Sequence, residues 1–433
     1  MARFAKKITN GDDSTRHLSM GVLALCFPLQ KIEEILLRAQ RASKRVRDLP
    51  APVTVYYVIA MALFPAAGYQ SVLGWLLAGL QWLGSEFRLS GKSALSGART
   101  RLGAEAMQLI HQALALPLAD PQLKGSYWKG LHLVAIDGGL LALQDTKDNA
   151  GTFGRSSNQN GASAYPMARF VALVEAGTHL IFGAALGGYQ DSEITLARQI
   201  IPQLRKGMVC LADRLFPGYQ LWQEARATGA HLIWRAKTGL QLERIKVLAD
   251  GSWLARFYPS KGPRRIENSV VVRVVEYRLK RADEPKTPEE QTYRLMTSIL
   301  DPTEASAEEI AAAYPERWEI ELTIKEGKSV LRGDKITLRS KTAELVRQEF
   351  WGVLLAHYAV RKMMALAARR RDRDPDELSY KASIEIIKAR LTAATRSVSP
   401  SGCSSDPASA IDRRRQRKGV QQPGAKPTPH DQM

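Results

Sequence analysis

Cysteine is nearly absent from this chain: Cys26, Cys210 and Cys403 are the three among 433 residues, far apart and odd in number. With no C-x-x-C pair and no paired histidine spacing, the sequence argues against a disulfide framework and against a structural zinc site, and it suits a reducing compartment. Long apolar runs are missing too. The longest, residues 53–68, is short of a bilayer span and contains Pro65, so it reads as a buried helix. No apolar stretch follows the basic opening Met1-Ala-Arg-Phe-Ala-Lys-Lys, so no secretory signal is read. The expectation is a cytoplasmic protein with no membrane partner. The seven histidines are dispersed without evident triad partners, which argues against a Ser-His-Asp hydrolase. Acidic charge is the scarcer sign, with 43 Asp and Glu against 62 Lys and Arg, a formal net charge of +19. Such an excess is high for an enzyme of small anionic metabolites and ordinary for a protein that tracks a polyphosphate backbone. Nucleic acid is the natural partner.

What is present begins with helices, from about residue 14 to about 116. Residues 29–46 carry apolar side chains at helical intervals, with Arg38, Arg41, Lys44, Arg45 and Arg47 towards the end, where cations suit the helix dipole. Pro50 and Pro52 break that run, and two apolar helices follow at 53–64 and 69–83. Then comes Ser90-Gly-Lys92-Ser93-Ala-Leu-Ser-Gly-Ala-Arg99-Thr-Arg101. A basic helix after an apolar helix and a Gly/Ser turn has the outline of a helix-turn-helix in which Lys92, Arg99 and Arg101 face a DNA groove, with a solvated basic face as the alternative.

From about Lys129 the pattern changes to strands. Residues 131–136, 168–175 and 179–186 are short β-rich runs between Gly-bearing turns. A helix at 193–204, a buried strand at 208–212, a helix at 219–228 and a strand at 231–236 complete a β-β-β-α-β-α-β order. That order is the order of an RNase H-like domain, in which the first strand and the strand after the first helix lie side by side, so Asp137 and Asp213 should meet. Residues 237–300 look β-rich and are expected to stand outside the compact core. The fold class is therefore α/β: an RNase H-like catalytic core with a β-rich insertion and an all-α N-terminal region. Expected boundaries are 1–124 for a helical DNA-binding region, 125–240 and 305–368 for the two parts of the core, 241–304 for the insertion, and 369–433 for a basic, disordered tail rich in Pro, Ser, Gly and Arg.

The most specific stretch is Tyr314-Pro-Glu-Arg317-Trp-Glu-Ile-Glu321-Leu-Thr-Ile-Lys-Glu-Gly-Lys328, spaced Y-x2-R-x3-E-x6-K. At about 100° per residue, Arg317, Glu321 and Lys328 fall within roughly 60° of Tyr314 on a helix. A carboxylate between an Arg fork and a Lys, with an aromatic hydroxyl one turn away, could present a metal ion to a phosphodiester. Pro315 suggests that the helix starts or bends there. The same spacing matches a known signature, so the chain resembles the DDE transposases of the bacterial insertion-element-four family. Leu131-His-Leu-Val-Ala-Ile136-Asp137-Gly-Gly looks like that family's first acidic motif, a strand ending in Asp-Gly. Met208-Val-Cys-Leu-Ala212-Asp213-Arg-Leu-Phe looks like its second, and the resemblance runs from about residue 49 to about 371.

The resemblance implies that Asp137, Asp213 and Glu321 are the catalytic metal ligands. Two Mg²⁺ ions, with Mn²⁺ able to substitute, could activate a water and stabilise the leaving 3′-oxygen, then activate the freed 3′-hydroxyl, so one site would cut and join. It further implies that Arg317 and Lys328 hold phosphate and that Tyr314 lies near the cleaved strand. The partners would be double-stranded DNA, both terminal repeats and target. The protein would be a homodimer when bound, and nucleoid-associated in that state. Bland readings stand beside each residue: Asp137 as a turn former, Glu321 as the i+4 partner of Lys325, Glu316 and Glu319 as surface residues, Trp318 and Trp351 as core aromatics. Trp253 in the insertion is a candidate for stacking on a displaced base, as an aromatic of this family's insertion does. The rival functions are an RNase H-like nuclease that does not join, and a catalytically inactive relative that acts as a DNA-binding regulator.

Overall fold

The computed structural model describes residues 18–45, 49–81, 90–158, 161–278, 292–326 and 337–393. Five helices come first: α1 (Leu18–Cys26), α2 (Leu29–Arg38), α3 (Ala51–Leu63), α4 (Tyr69–Gln81) and α5 (Lys92–Leu114). Pro52 sits in the first turn of α3, where a missing N–H costs nothing, so the prolines expected to break one helix also open the next. Within α5 the helix kinks at Gly103, whose φ of 76° is a left-handed conformation costly for residues with a Cβ. The amide freed there, Ala104 N–H, donates to Glu344 Oε1 at 2.7 Å.

The sheet begins with β1 (Leu131–Ala142), β2 (Met167–Glu175) and β3 (Ile181–Gly188), an antiparallel trio interrupted by α6 (Lys147–Phe153) between β1 and β2. After α7 (Glu193–Ile200) comes β4 (Met208–Ala212), and after α8 (Tyr219–Ala227) comes β5 (His231–Arg235); β4 pairs in parallel with β1 on one side and with β5 on the other. The resulting order β3-β2-β1-β4-β5 is RNase H-like. The helix starts are locally coded. Ser192 accepts from Thr195 N–H at the head of α7, and Ser306 with Glu309 forms a capping box at α9 (Ala307–Ala313).

The expectation that the insertion stands apart from the core is corrected. Strands β6 (Glu243–Val247), β7 (Trp253–Phe257), β8 (Val270–Arg278) and β9 (Thr292–Thr297) continue the same sheet, because β9 pairs antiparallel with β5 through Leu295↔Arg235, Met296↔Trp234 and Thr297↔Ile233. Without β9 the last core strand would present a row of unpaired backbone groups. Arg273 on β8 is fully buried and ties the insertion to the start of α9: it donates to Ser252 Oγ at 2.8 Å and to Ala305 O at 2.6 Å, and it pairs with Asp250, which also accepts from Ala307 N–H at 2.7 Å.

The motif segment comes next as a 3-10 turn, Tyr314–Arg317, and α10 (Trp318–Lys325). Then α11 (Ala343–Arg369), 27 residues and about 40 Å long, runs through the molecule, burying residues on nearly every face. It packs on α3, α5 and β3, so the helical N-terminal region and the sheet share one apolar core from Val22 to Leu391. A second correction concerns the tail. Residues after 369 turn through a 3-10 segment, Pro375–Glu377, into α12 (Tyr380–Ala393), whose Ile384, Ile387 and Leu391 are buried, so the ordered chain extends beyond 369. The Pro, Ser, Gly and Arg-rich remainder from 394 lies outside the described residues.

Arg99 is the third correction. It is 5% exposed and donates to Gln348 Oε1 at 2.8 Å, Ser340 Oγ at 2.9 Å and Leu345 O at 3.2 Å, so it latches α5 to the start of α11 and cannot face a DNA groove. Lys92 and Arg101 remain exposed. Replacing Arg99 by Ala leaves buried acceptors unpaired and is expected to lower unfolding free energy by about 2–4 kcal/mol. Arg101→Ala should stay within about 0.5 kcal/mol. Urea denaturation of the two variants checks this, and equal losses would mean that the latch is not structural.

Candidate active site

Parallel pairing of β1 with β4 sets the site. Ile136 stands opposite Ala212, so the next residue on each strand, Asp137 and Asp213, emerges at the same end of the sheet. Contrary to the expected strand end at Asp137, β1 continues against β2 to Ala142. Gly138 permits a close approach there: a Cβ on it would lie 2.7 Å from the Glu193 carboxyl carbon, and that carboxylate is paired with Arg169 at 2.8 Å. Asp137 Oδ1 accepts from Gly138 N–H at 2.8 Å, and Asp213 Oδ1 accepts from Arg214 N–H. Each carboxylate is thus oriented by the amide of the residue that follows it.

Arg317 joins the third carboxylate to this pair. It is 3% exposed, donates from Nη2 to Glu321 Oε1 at 3.0 Å, and brings Nη1 to 3.9 Å from Asp137 Oδ2. Its guanidinium lies between the rings of Tyr314, 5.8 Å away, and Trp318, 4.8 Å away. Nε and Nη1 have no hydrogen-bond acceptor among the described residues.

The electrostatics describe a place short of positive charge. Burial, joined by the nearby charges of Asp213 and Glu321, pushes the Asp137 carboxyl up to about 6, although the Gly138 N–H and Arg317 pull the other way. Three carboxylates, from a strand, the end of its parallel neighbour and a helix, are a hard-oxygen donor set that suits a divalent cation. Asp137, Asp213 and Glu321 fit a metal, and each could supply an oxygen to it.

The other expected residues fall differently. Tyr314 is buried at 4% exposure and its hydroxyl donates to Ala212 O at 3.3 Å, so it braces the strand behind Asp213 and is not offered to solvent. The 3-10 turn begun with Pro315 breaks the single helix on which the face was drawn, and this turns Tyr314 inward. Lys328 lies outside the described residues. Trp351 is a core residue as expected, but Trp318 is 56% exposed beside Arg317. Trp253 is 6% exposed with Arg244 over its ring at 4.5 Å, which removes its free face. Glu319 is not a free surface residue, since His179 engages it at 3.1 Å. Sequence reasoning also missed the cleft beside the Asp213 loop, lined by Arg198, Tyr219, Lys237 and Lys261 among others. These cations come from three separate segments, so no local run announces them.

Comparison with known proteins bears on this geometry. The transposase DDE domain family matches residues 128–359, and the insertion element 4 transposase N-terminal family matches residues 17–112. The chain is 30% identical over 373 residues to the transposase InsG for insertion sequence element IS4 of Escherichia coli (strain K12), covering 83% of this chain and 80% of that protein. A cryo-EM structure of the piggyBac transposase synaptic complex with hairpin DNA aligns over 92% of this chain and 82% of its own, with a TM-score of 0.45 and 12% identity.

The raised Asp137 carboxyl has a measurable price in stability. Between about pH 4 and 6 the folded chain keeps a proton that the unfolded chain has released, so stability falls as pH rises through that window, by ~3 kcal/mol in all. Asp137→Asn should therefore be more stable than the parent above pH 6, with the gap closing towards pH 4. Mg²⁺ should raise the parent's melting temperature and not the variant's. A variant less stable at pH 8 would contradict the assignment.

Proposed function

Because the chain belongs to the insertion-element-4 family of DDE transposases, and is a metal-dependent DNA transposase, we propose that Asp137, Asp213 and Glu321 are the ligands of its catalytic metal. The observation that carries this is the convergence of the three carboxylates around buried Arg317, with Asp137 pushed up by burial and by its two acidic neighbours. The ions are Mg²⁺, with Mn²⁺ able to replace it. When bound, such ions supply an activated oxygen nucleophile and stabilise a leaving 3′-oxygen.

The protein's own groups do the rest. Asp137 and Asp213 are held by the amides of Gly138 and Arg214 through Oδ1, which leaves Oδ2 of each for the ion. Contrary to expectation, Arg317 is too deeply buried to reach a DNA phosphate, and its part is to keep Glu321 in place and face Asp137. Lys328 is assigned the phosphate contact next to the cut. Trp318 presents an open indole face beside Arg317 on which a base could stack. The cleft with Arg198, Lys237 and Lys261 gives the strand leading to Asp213 an electrostatic track.

The substrates are the terminal repeats of the protein's own element and a target duplex. The active form on DNA is a homodimer, associated with the nucleoid. Residues 1–124 recognise the repeats, using Lys92 and Arg101 from the exposed side of α5. No helix among the described residues is long and apolar enough to cross a membrane. No observation favours an inactive regulator.

Two outcomes are expected. Asp213→Ala should abolish cleavage of terminal-repeat DNA in Mg²⁺ and in Mn²⁺, while the shift of the same DNA on a gel is nearly unchanged. Residual cutting near the parental rate would remove Asp213 from the metal site. Neutralising Lys237 and Lys261 together should lower the slope of log affinity against log salt by about two units, roughly one per lost phosphate contact, for repeat and arbitrary DNA alike. An unchanged slope would place the DNA elsewhere.

A further inference from the structure

Glu319 precedes Glu321 by two residues on α10, so the two side chains leave the helix roughly 200° apart. Glu321 goes to the acidic end of the sheet, whereas Glu319 enters a second cluster made of different residues. Its Oε2 is 3.1 Å from Nε2 of His179, in the turn between β2 and β3. The same nitrogen is 2.7 Å from Oδ1 of Asp376, in the 3-10 turn Pro375–Glu377. The three ligand atoms lie within 4.8 Å of one another. The His179 side chain is 4% exposed, Glu319 is partly covered and Asp376 opens to solvent.

A single imidazole nitrogen carries at most one proton, yet two carboxylates crowd this one. The ring directs no well-aligned hydrogen bond to either, and among the described residues Nδ1 has no partner. The surroundings add acid: Asp374 and Glu377 stand beside Asp376 in a chain that is otherwise strongly basic. Arg361 lies nearby, but Glu326 holds its guanidinium, with Nε at 3.1 Å. The arrangement therefore leaves a buried nitrogen and two carboxylate oxygens converging with no group among them to satisfy all three.

We propose that His179, Glu319 and Asp376 bind a divalent transition-metal ion of the Zn²⁺ type, at a second metal site distinct from Asp137, Asp213 and Glu321. An imidazole nitrogen with two carboxylate oxygens is a donor set for a borderline ion, while Mg²⁺ prefers oxygen alone. Zn²⁺ bonds of about 2.0–2.2 Å need donors roughly 3–4 Å apart, and a water takes the fourth position on the open Asp376 side. The bound ion would pin three segments that are far apart in sequence: the β2–β3 turn, the motif helix and the segment leading to α12. It is a positioning site, since it touches no reacting atom. It orients the helix that carries Glu321 from that helix's other face. The proposal does not depend on the catalytic assignment.

The test uses the full chain with Asp137→Asn, Asp213→Asn and Glu321→Gln combined, so that the acidic end of the sheet no longer competes. Stripped with chelator and dialysed against Zn²⁺, this chain should retain one Zn²⁺ by plasma mass spectrometry and gain several degrees in melting temperature. Adding Asp376→Asn, an exposed change that leaves the core intact, should remove both the ion and the thermal gain. His179→Gln should do the same. Retention of no Zn²⁺ by the triple variant would overturn the proposal and leave the cluster an ion-paired strap only. Equal Zn²⁺ uptake with and without Asp376→Asn would overturn it as well, by putting the ion elsewhere.

Discussion

A buried guanidinium governs the acidic end of the sheet. Arg317 is almost wholly out of water, and a charge so placed is tolerable only if anions meet it. Glu321 does so directly and Asp137 at longer range. The need to compensate Arg317 thus draws a helix carboxylate towards a strand carboxylate, and the strand pairing of β1 with β4 brings in Asp213. The compensation is partial: two of its buried donors have no acceptor among the described residues, and Asp137 is still held above the ordinary carboxylate range. A site satisfied within itself would have no affinity left for a cation or a phosphate.

The core topology could be read in the sequence because its signals are local. Continuous apolar strands at 131–136 and 208–212, with helices between, fix a parallel pair, and strand pairing then does the long-range work of bringing Asp137 to Asp213. Serine caps at α7 and α9 mark helix starts in the same direct way. The place of the insertion is hidden for the opposite reason. Its strands reveal their type but not their neighbour, and only the register of β9 on β5 makes them part of the core sheet.

Site residues divide along the same line. Asp137, Asp213, Arg317 and Glu321 lie in segments whose spacing is nearly regular, and the structure brings them together. Tyr314 and Arg99 depart from expectation because one turn of backbone reverses a side chain's direction. The 3-10 turn swings Tyr314 under β4, and the α5–α11 contact encloses a guanidinium that composition alone marks as a surface charge. Trp318 and Glu319 exchange roles for the same cause, an indole left open and a carboxylate engaged. The absence of a cysteine or histidine spacing says nothing of His179 and Asp376, distant in sequence and adjacent only in the fold.

The unbroken sheet has a consequence for how this architecture can be altered. An insertion held on by a flexible stem could be trimmed, exchanged or lost, leaving the host domain whole. Here the added strands have become the flank of the domain itself, and Arg273 rivets them to the start of α9, just before the motif segment. On that side the core depends on the insertion: loss of β9 would strip β5 of its outer partner and unseat the approach to Glu321 together. Variation is instead free at the far margin, where β6 is exposed along its whole length. The plan can therefore accept further strands at its outer edge more readily than it can lose the strand beside β5.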